Sequence, residues 1–487
     1  MFHSTKDLVE QVHLELAQGR HDRALGLIRN FVELICLNER CTARVFSSVL
    51  LDELCQEIGR VSLSTIKRDK ASTLPSQNTV VYIATKLYMS GGHTAVLEDF
   101  IQAQPELRHV VLVTGIAGSP ERVLVEKRFT GSNVKLFWAP DFSLMEKLLW
   151  VQGRLLEINA EKVFLFNHHE DAVAIAAVQP ELQQKLYFYH HADHQLALGV
   201  HLHRAVHIDP HNMGYFNCRE SQNKADNYYL PLTIADQGQR PQELQFMGSR
   251  KLVTCAVGGK RKFEAPYRYL YSALIPELLT GPVGKHIHIG PLSPATLKKI
   301  RGELDARGIA QTQFVHIPWA ANVWRALWEY GVDVYLVSFP YCGARAIVEA
   351  LGSGTPVIAH QNYRNGFLSG MDMLYSSAYV WSNPGDLLAH LGELTPNRLV
   401  EEGKAARYHY ETHHRPKLLQ MALDSDFTDQ VAQPIPLRRY TSDQLQCCLD
   451  EFDLWQLCMA RARQLTKRFF WVLPEKLRLM IFNKIIQ

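Results

Sequence analysis

The sequence lacks the marks of a disulfide-rich, secreted or membrane-spanning protein. Its 487 residues include nine cysteines with no CxxC pair and no regular spacing, so we expect no disulfide framework and a reducing compartment. The first residues are polar and lack the basic-then-apolar order of a secretory signal. No uninterrupted apolar stretch approaches the roughly 18–20 residues that a membrane span needs. We therefore expect a cytoplasmic protein, with peripheral binding to the inner membrane face left open.

The chain also lacks an excess of charge of either sign. Lys and Arg number 52 against 49 Asp and Glu, a net charge of +3, which argues against a general nucleic-acid binder. With 47% hydrophobic and 21% charged residues, the composition is that of an ordinary globular protein and excludes wholesale disorder. A chain of this length is expected to form about two to four domains.

The first half of the chain reads as a small helical cap followed by an α/β domain. Residues 7–58 have helical periodicity, and the polar stretch 62–78 is typical of a linker. From Thr79, short apolar runs alternate with helical segments, which predicts a parallel sheet covered on both faces. The predicted strands are Val80–Ala84, Val110–Thr114, Val134–Trp138, Val163–Asn167, Leu186–His190 and Ala205–Ile208.

The same alternation restarts after a polar segment at 220–248, with helices such as Ala265–Leu279 between the strands. The predicted strands are Leu252–Val257, His286–Ile289, Phe314–Ile317, Val332–Val337, Pro356–Ala359 and Tyr379–Ser382. The predicted fold class is α/β, with two Rossmann-like domains facing a cleft, an N-terminal helical cap and a C-terminal helical tail. The predicted boundaries are 1–75 for cap and linker, 76–245 and 246–425 for the two α/β domains, and 426–487 for the tail.

A glycine pair in each domain follows that domain's first strand. Gly91, Gly92 and His93 open a helix, whose free amides and positive end favour a ligand that approaches the backbone closely. The segment does not fit GxGxxG, so a dinucleotide fingerprint is not supported, and an ordinary turn is the alternative.

The second pair, Gly258 and Gly259, precedes the three cations Lys260, Arg261 and Lys262. Glycine amides and basic side chains both favour anionic oxygens, so the loop suits a diphosphate. A solvated basic loop is the alternative reading.

The most specific motif is SFPYCGARAIVEALGSGTPVI at residues 338–358. It reads as a strand end, a helix start built from small residues, a helix bearing one carboxylate, a glycine stop and another strand. The helix start at Gly343 can present amides to a phosphate. Glu349 lies about two turns further on, where it could accept hydrogen bonds from a ribose diol. The alternative is a surface helix with an unrelated glutamate.

This motif resembles the donor site of the GT-B glycosyltransferases, and the layout of residues 79–425 resembles their fold. In family 4 of these enzymes, a Glu-Ala-Leu segment before Gly-Thr-Pro-Val-Ile binds the nucleotide ribose, which implies that role for Glu349. Family 4 has a second glutamate eight residues earlier, where this chain has Tyr341.

The Phe-Pro-Tyr-x-Gly segment is more similar to the O-GlcNAc transferase family, family 41. There the residues matching Ala344, Arg345 and Ala346 face the diphosphate, and a lysine matching Lys260 or Lys262 contacts phosphate. The donor-binding residues that the two resemblances imply are Gly91, Gly92, Gly259, Lys260, Lys262, Tyr341, Gly343, Ala344, Arg345 and Glu349.

Histidines cluster at the ends of two predicted strands, in the segments NHHE at 167–170 and HHADH at 190–194. Imidazoles and carboxylates are zinc ligands, so a metal site is one reading, and structural histidines are another. We expect instead that one histidine of each loop faces the cleft to contact a sugar or phosphate, or to act as a general base. The catalytic candidates are His93, His169 and His191. The GT-B resemblance implies that no metal or other cofactor is needed.

Residues 461–484 carry seven basic residues and one acid, interleaved with aromatic and aliphatic residues. Such a segment suits an anionic membrane surface, and a helix packed on the protein body is the equal alternative.

The predicted function is transfer of a sugar from a nucleotide-diphosphate sugar, UDP-linked, to a glycan, lipid-linked or protein acceptor. The enzyme class would be hexosyl- or N-acetylhexosaminyltransferase, with no nucleic-acid partner. Two alternatives stay open: a non-hydrolysing sugar-nucleotide 2-epimerase, which shares the fold, and a non-catalytic GT-B-like adaptor.

Overall fold

The computed structural model describes residues 5–37, 41–66, 76–89, 91–116, 118, 122–129, 131, 133–191 and 193–437. Two parallel β-sheets, each flanked by helices, form its core, which confirms the predicted α/β fold class. The predicted basic tail at 461–484 lies outside the described residues. Within the described ranges, no helix is both long enough and apolar enough to cross a bilayer.

The first sheet has seven parallel strands in the order β3-β2-β1-β4-β5-β6-β7. Its strands are β1 (Ser76–Ala84), β2 (Arg108–Val113), β3 (Val134–Trp138), β4 (Ala160–Phe166), β5 (Lys185–Tyr189), β6 (Ala205–Asp209) and β7 (Tyr228–Tyr229). The central strands are buried on both faces, which explains why they appear in the sequence as continuous apolar runs.

Helices cover both faces of this sheet. They are α1 (Thr5–Ala17), α2 (His21–Leu37), α3 (Val49–Thr65), α4 (Gly92–Gln102), α5 (Arg122–Arg128), α6 (Leu144–Ile158), α7 (Ala172–Ala177) and α8 (Asn212–Ser221). The first three share one hydrophobic core with the sheet, so the helical cap is packed directly on the first domain. Helix α3 approaches α7 so closely that a Cβ on Gly59 would lie 1.8 Å from the Ala176 carbonyl oxygen.

The second sheet has six parallel strands in the order β10-β9-β8-β11-β12-β13. Its strands are β8 (Leu252–Val257), β9 (Val283–Ile289), β10 (Phe314–Ile317), β11 (Val334–Leu336), β12 (Val357–His360) and β13 (Val380–Trp381). Its helices are α9 (Lys260–Phe263), α10 (Tyr271–Thr280), α11 (Pro294–Ala306), α12 (Val323–Glu329), α13 (Ala344–Gly352), α14 (Pro384–Glu393), α15 (Pro396–His413) and α16 (Pro416–Asp424).

Three segments differ from their predicted form. The stretch 62–78, predicted as a linker, contains the end of α3 at Thr65 and the start of β1 at Ser76. The polar stretch 220–248, predicted as a linker, contains strand β7, which pairs with β6. The helix predicted over Ala265–Leu279 begins only at Tyr271, because Pro266 disfavours helix at the residue before it. The hydroxyl oxygen of Tyr267, in the segment between, instead lies 2.6 Å from His360 Nε2.

The chain returns to the first domain after α16. Phe427 packs against Tyr187 of the first sheet, with ring centroids 5.3 Å apart. Beside it, Asp426 accepts a hydrogen bond from Lys185 Nζ at 3.0 Å. The predicted domain boundaries stay a prediction, but the chain crosses between the two sheets twice.

Candidate functional site

The carboxyl ends of the two sheets face each other, and helix α4 of the first domain meets helix α13 of the second. A Cβ on Gly92, at the start of α4, would lie 3.6 Å from the Arg345 Cβ near the start of α13. Both helices begin at glycines, Gly91 and Gly343, that provide no side-chain cap. Two helix N-termini with uncapped first-turn amides therefore converge on one cleft, an arrangement that favours an anion.

Lys262 lies at the α13 end of this cleft. Its Nζ donates a hydrogen bond to the carbonyl oxygen of Cys342, immediately before the helix. The position of a Cβ on Gly343 is 3.5 Å from the same Nζ, so the ammonium group sits beside the free amides of the helix start. Burial lowers the pKa of Lys262. A cation with spare N–H groups next to uncapped amides is a suitable binding site for phosphate oxygens.

Glycine is required in the β8–α9 loop for Lys262 to reach this position. Gly258 has φ +155°, and a Cβ there would lie 2.9 Å from the Lys262 Cδ. Gly259 follows as the residue before α9. Lys260 and Arg261 are exposed, whereas Lys262 is half-buried. Of the three predicted cations, the structure places Lys262 against the α13 N-terminus.

Glu349 lies two turns into α13 and points to the start of α12. It accepts a hydrogen bond from the backbone N–H of Val323, the first residue of that helix. Burial raises the pKa of Glu349 to about 7, although the charge of Arg345 and the Val323 N–H oppose the rise. A buried carboxylate with capacity for further donors is a suitable partner for a diol.

Arg345 bridges the two domains. Its guanidinium contacts Asp99 of α4 through two bonds, at 2.6 and 3.4 Å. Burial raises the pKa of the Asp99 carboxyl, and Arg345 opposes that rise. The family resemblance implies that Ala344 and Arg345 face a diphosphate. Ala344 is the first residue of α13 and Tyr341 lies in the loop before it, whereas the Arg345 side chain is held by Asp99.

Three imidazoles meet on the first-domain side of the cleft: His93 of α4, His168 after β4 and His191 after β5. We call them the histidine trio. The centroid of the His93 ring lies 4.3 Å from that of the His191 ring and 5.2 Å from that of the His168 ring. One ring nitrogen from each lies within 4.8 Å of the others, close enough to hold a metal ion. Burial lowers the pKa of His93 to about 3 and of His168 to about 4, so both rings are neutral near pH 7.

The tautomer of His93 follows from its hydrogen bond. Its Nε2 lies 2.8 Å from the carbonyl oxygen of Phe166, which can only accept, so Nε2 carries the hydrogen. The lone pair is then on Nδ1, which is buried and has no hydrogen-bond partner among the described residues. The trio therefore contains one buried acceptor nitrogen that the described residues leave unused.

His169 does not belong to the trio. It turns to Glu170, with Nδ1 3.5 Å from Oε2, while the backbone N–H of His168 donates to Thr85 Oγ1 at 2.7 Å. Burial alone would raise the pKa of Glu170. The hydrogen bond from His169 and the charge of His169 outweigh burial and lower the pKa of this carboxyl to about 2. The structure thus places His93 and His191 together, with His168 rather than His169 as their neighbour.

Sequence reasoning missed a histidine–aspartate pair at the base of the cleft. His211 Nδ1 lies 2.8 Å from Asp193 Oδ2, and His211 Nε2 has no partner among the described residues. His211 precedes α8, whose second residue, Met213, donates its N–H to Asp372 of the second domain at 3.2 Å. The sequence contained a signal for this pair: His211 follows one predicted strand, and Asp193 follows the predicted strand before it.

Several solved structures resemble this fold. No protein family matches the sequence, and no curated protein matches it. HepE of Anabaena in complex with UDP and glucose superposes with a TM-score of 0.53 at 12% identity, covering 72% of this chain and 99% of HepE. Its complex with UDP-glucose gives the same TM-score at 11% identity, with coverage of 72% and 99%. A glycosyltransferase from Rickettsia africae ESF-5 gives a TM-score of 0.53 at 11% identity, covering 72% of this chain and 98% of that one.

At this level of identity the likeness concerns the fold. The chain has the two-domain fold of the GT-B glycosyltransferases, as the sequence predicts. The roles of the individual site residues stay predictions.

Proposed function

We propose that this protein transfers a sugar from a UDP-linked nucleotide sugar to a glycan, lipid-linked or protein acceptor. The observation that carries the proposal is the grouping of Lys262, the uncapped start of α13 and Glu349 on one side of the cleft. The complexes of HepE with UDP and with UDP-glucose support a UDP-linked donor.

The donor would lie along α13. Its diphosphate would accept hydrogen bonds from the first-turn amides of α13 and from Lys262, and its ribose diol would donate to Glu349. Gly343 and Glu349 are six residues apart, roughly 9 Å along the helix axis at 1.5 Å per residue, so one nucleotide would contact both groups. At the α4 side of the cleft, Gly92 lets Arg345 of α13 approach closely, because a Cβ there would lie 3.6 Å from the Arg345 Cβ.

The same groups would assist the reaction. The acceptor oxygen forms a bond to the anomeric carbon, the bond from that carbon to the diphosphate oxygen breaks, and the leaving diphosphate takes the electron pair. Lys262 and the α13 dipole stabilise the negative charge that develops on that oxygen. No cation besides the protein's own groups enters this scheme.

The acceptor would bind on the first-domain side. The histidine trio offers neutral rings to its hydroxyls, and His93 Nδ1 is an acceptor. His211 is held by Asp193 through Nδ1, which leaves Nε2 to receive the proton of the attacking hydroxyl. We therefore add His211 to the catalytic candidates.

A thermal-shift screen of the full chain across UDP-, GDP-, CMP- and dTDP-sugars tests the proposal, because a ligand of the folded state raises its melting temperature. We expect UDP-sugars to stabilise the wild type and to leave the melting temperature of Glu349→Ala unchanged. Glu329→Ala removes an exposed glutamate from the end of α12 and serves as the control variant, which UDP-sugars should stabilise like the wild type.

NMR and the thermal-shift screen together separate the two alternative functions. An epimerase would convert its donor with no acceptor present, which NMR of the nucleotide sugar alone detects. An adaptor would show no shift with any nucleotide sugar. Co-sedimentation with anionic vesicles at low and high salt tests whether the basic tail brings the enzyme to lipid-linked acceptors.

A further inference from the structure

A second group of metal-ligand side chains lies next to the cleft and is fully buried. It consists of His190 after β5, His207 and Asp209 of β6, and Cys218 of α8, and we call it the buried cluster. Each side chain is at most 1% exposed. His207 and Asp209 are two residues apart on β6, so they share one face of the sheet, and the register places His190 beside them.

The four ligand-type atoms all lie within 4.8 Å of one another, close enough to surround one ion. Asp209 Oδ1 lies 3.0 Å from His190 Nδ1 and 3.1 Å from His207 Nε2. Cys218 Sγ lies 3.5 Å from each of these three atoms. A tetrahedral zinc ion with one sulfur and three nitrogen or oxygen ligands requires edges of about 3.3–3.6 Å, given its bond lengths of about 2.0–2.3 Å. The three distances to sulfur lie in this range, and the two between Asp209 and the imidazoles are slightly shorter.

Hydrogen bonds alone do not account for these contacts. The two imidazole nitrogens and the thiol supply at most one hydrogen each, whereas the four atoms make five close contacts. Three hydrogens suffice for the three contacts to Asp209 Oδ1, which leaves the two contacts between Cys218 Sγ and the imidazole nitrogens without a hydrogen of their own. A cation at the centre converts all of them into neighbouring ligands of one ion.

A buried histidine group in the second domain provides an internal comparison. The hydroxyl of Tyr271 lies 2.7 Å from His286 Nε2 and 2.8 Å from His288 Nδ1, and Thr254 Oγ1 lies 2.8 Å from His286 Nδ1. Three contacts there share four available hydrogens, two from hydroxyls and two from imidazoles. That group has a hydrogen for every contact, whereas the buried cluster has three hydrogens for five contacts.

We propose that the buried cluster binds one divalent cation, Zn²⁺, in a closed tetrahedral site. One thiolate, two imidazoles and one carboxylate are ligands that zinc prefers, and four protein ligands leave no open position for chemistry. Asn227 supports the site from outside, because its Nδ2 donates to Asp209 Oδ2 at 2.5 Å and leaves Oδ1 for the ion.

The ion would have a structural role. It would tie the end of β5 to β6 and α8, the elements that carry His191, Asp193 and His211 into the cleft. The GT-B resemblance implies no metal for the sugar transfer, and this site lies apart from the donor groups. The proposal stands on the buried cluster alone and does not depend on the proposed function.

Metal analysis of the full chain tests the proposal. The protein is purified without a polyhistidine tag or chelator from zinc-supplemented medium and measured by mass spectrometry of its metals. We expect about one zinc per chain in the wild type and less than about 0.2 in Cys218→Ala. Cys255→Ala is the matched control, because Cys255 is also buried, on β8, and should keep about one zinc per chain.

A second measurement uses wild-type protein alone, in case Cys218→Ala fails to fold. Refolding with Co²⁺ should give the visible absorption of tetrahedral cobalt and a thiolate-to-cobalt charge-transfer band. Folded wild type that contains no zinc and takes up no cobalt would overturn the proposal. Zinc that persists in Cys218→Ala but disappears in His168→Ala would also overturn it, since the ion would then be bound by the histidine trio.

Discussion

The two sheets have the same central strand order, yet the loops at equivalent places carry different chemistry. In each sheet the order reverses beside the first strand of its domain, between β1 and β4 and between β8 and β11. Loops at such a switch point form the ligand crevice. The first domain fills its crevice with the neutral histidine trio, whereas the second fills it with Lys262 and the free amides of α13.

This comparison indicates that the fold determines the position of the crevice, whereas the loops determine which chemical groups can bind in it. Free amides and an ammonium group suit the oxygens of a phosphate. Neutral imidazoles buried in a cleft suit hydroxyl groups, which both donate and accept hydrogen bonds. Under the proposed function, the second-domain side would bind the donor and the first-domain side the acceptor.

The largest effect is expected for Lys262→Met, which tests whether the second domain binds the donor. It removes the ammonium group from the α13 N-terminus and keeps most of the side-chain volume. We expect the affinity for UDP-glucose, measured by calorimetry, to fall about 100-fold, because a charge-assisted contact to phosphate is lost. Lys299→Met, on exposed α11 surface, should leave the affinity unchanged. Equal affinity of Lys262→Met and the wild type would remove the second domain from donor binding.

The first-domain side is tested by His211→Ala. We expect the turnover of UDP-glucose with water as acceptor to fall about 100-fold, since a proton acceptor is lost, while donor affinity stays within about threefold. Release of UDP gives the rate, and calorimetry gives the affinity. The exposed His203→Ala is the control. Parallel losses of rate and affinity would place His211 in donor binding instead.

The affinity for UDP-glucose measured as a function of pH tests the proposed role of Glu349. The pKa of this buried carboxyl is about 7, so it becomes ionised as the pH rises from 6 to 8. A ribose diol donates to the ionised form, and affinity for UDP-glucose should therefore rise about tenfold over that range. The diphosphate of UDP-glucose does not titrate there. Glu349→Gln should bind weakly and with a flat pH profile; a rise of the same size in this variant would assign the dependence to another group.

The smallest expected effect concerns the contact between the two sides. Arg345 and Asp99 are each about one-fifth exposed, with side-chain exposures of 21% and 17%. A double-mutant cycle with Arg345→Met and Asp99→Asn, followed by chemical denaturation, should give a coupling free energy of about 1 kcal/mol. If the two losses simply add, the ion pair does not hold the domains together.

The strands were predictable because buried parallel strands are apolar runs, and each predicted strand is present. The segment 338–358 was informative for a similar reason, since a strand, a small-residue helix start and a carboxylate follow one another within one motif. The structure adds what local patterns do not contain. His168 rather than His169 joins the trio because Thr85, 83 residues earlier, holds its backbone.

Contacts between distant segments explain the other differences. Asp99 and Arg345 are 246 residues apart in the chain, and only the docking of the two domains brings them together. The buried cluster combines side chains from β5, β6 and α8, of which His190 and Cys218 are 28 residues apart. Neither grouping has a spacing that marks it in a sequence.

The double crossing of the chain between the domains limits how they can move. The outgoing segment at 230–235 is bonded to the end of α15 in the second domain: the Ile234 N–H donates to the His414 carbonyl at 3.1 Å, and the Tyr410 hydroxyl donates to the Ile234 carbonyl at 2.8 Å. These bonds anchor the connection between the sheets on the second domain. Together with the Arg345–Asp99 ion pair at the cleft, they hold the two domains to each other at two separate places, so any change in the angle between the sheets has to strain or break one of them.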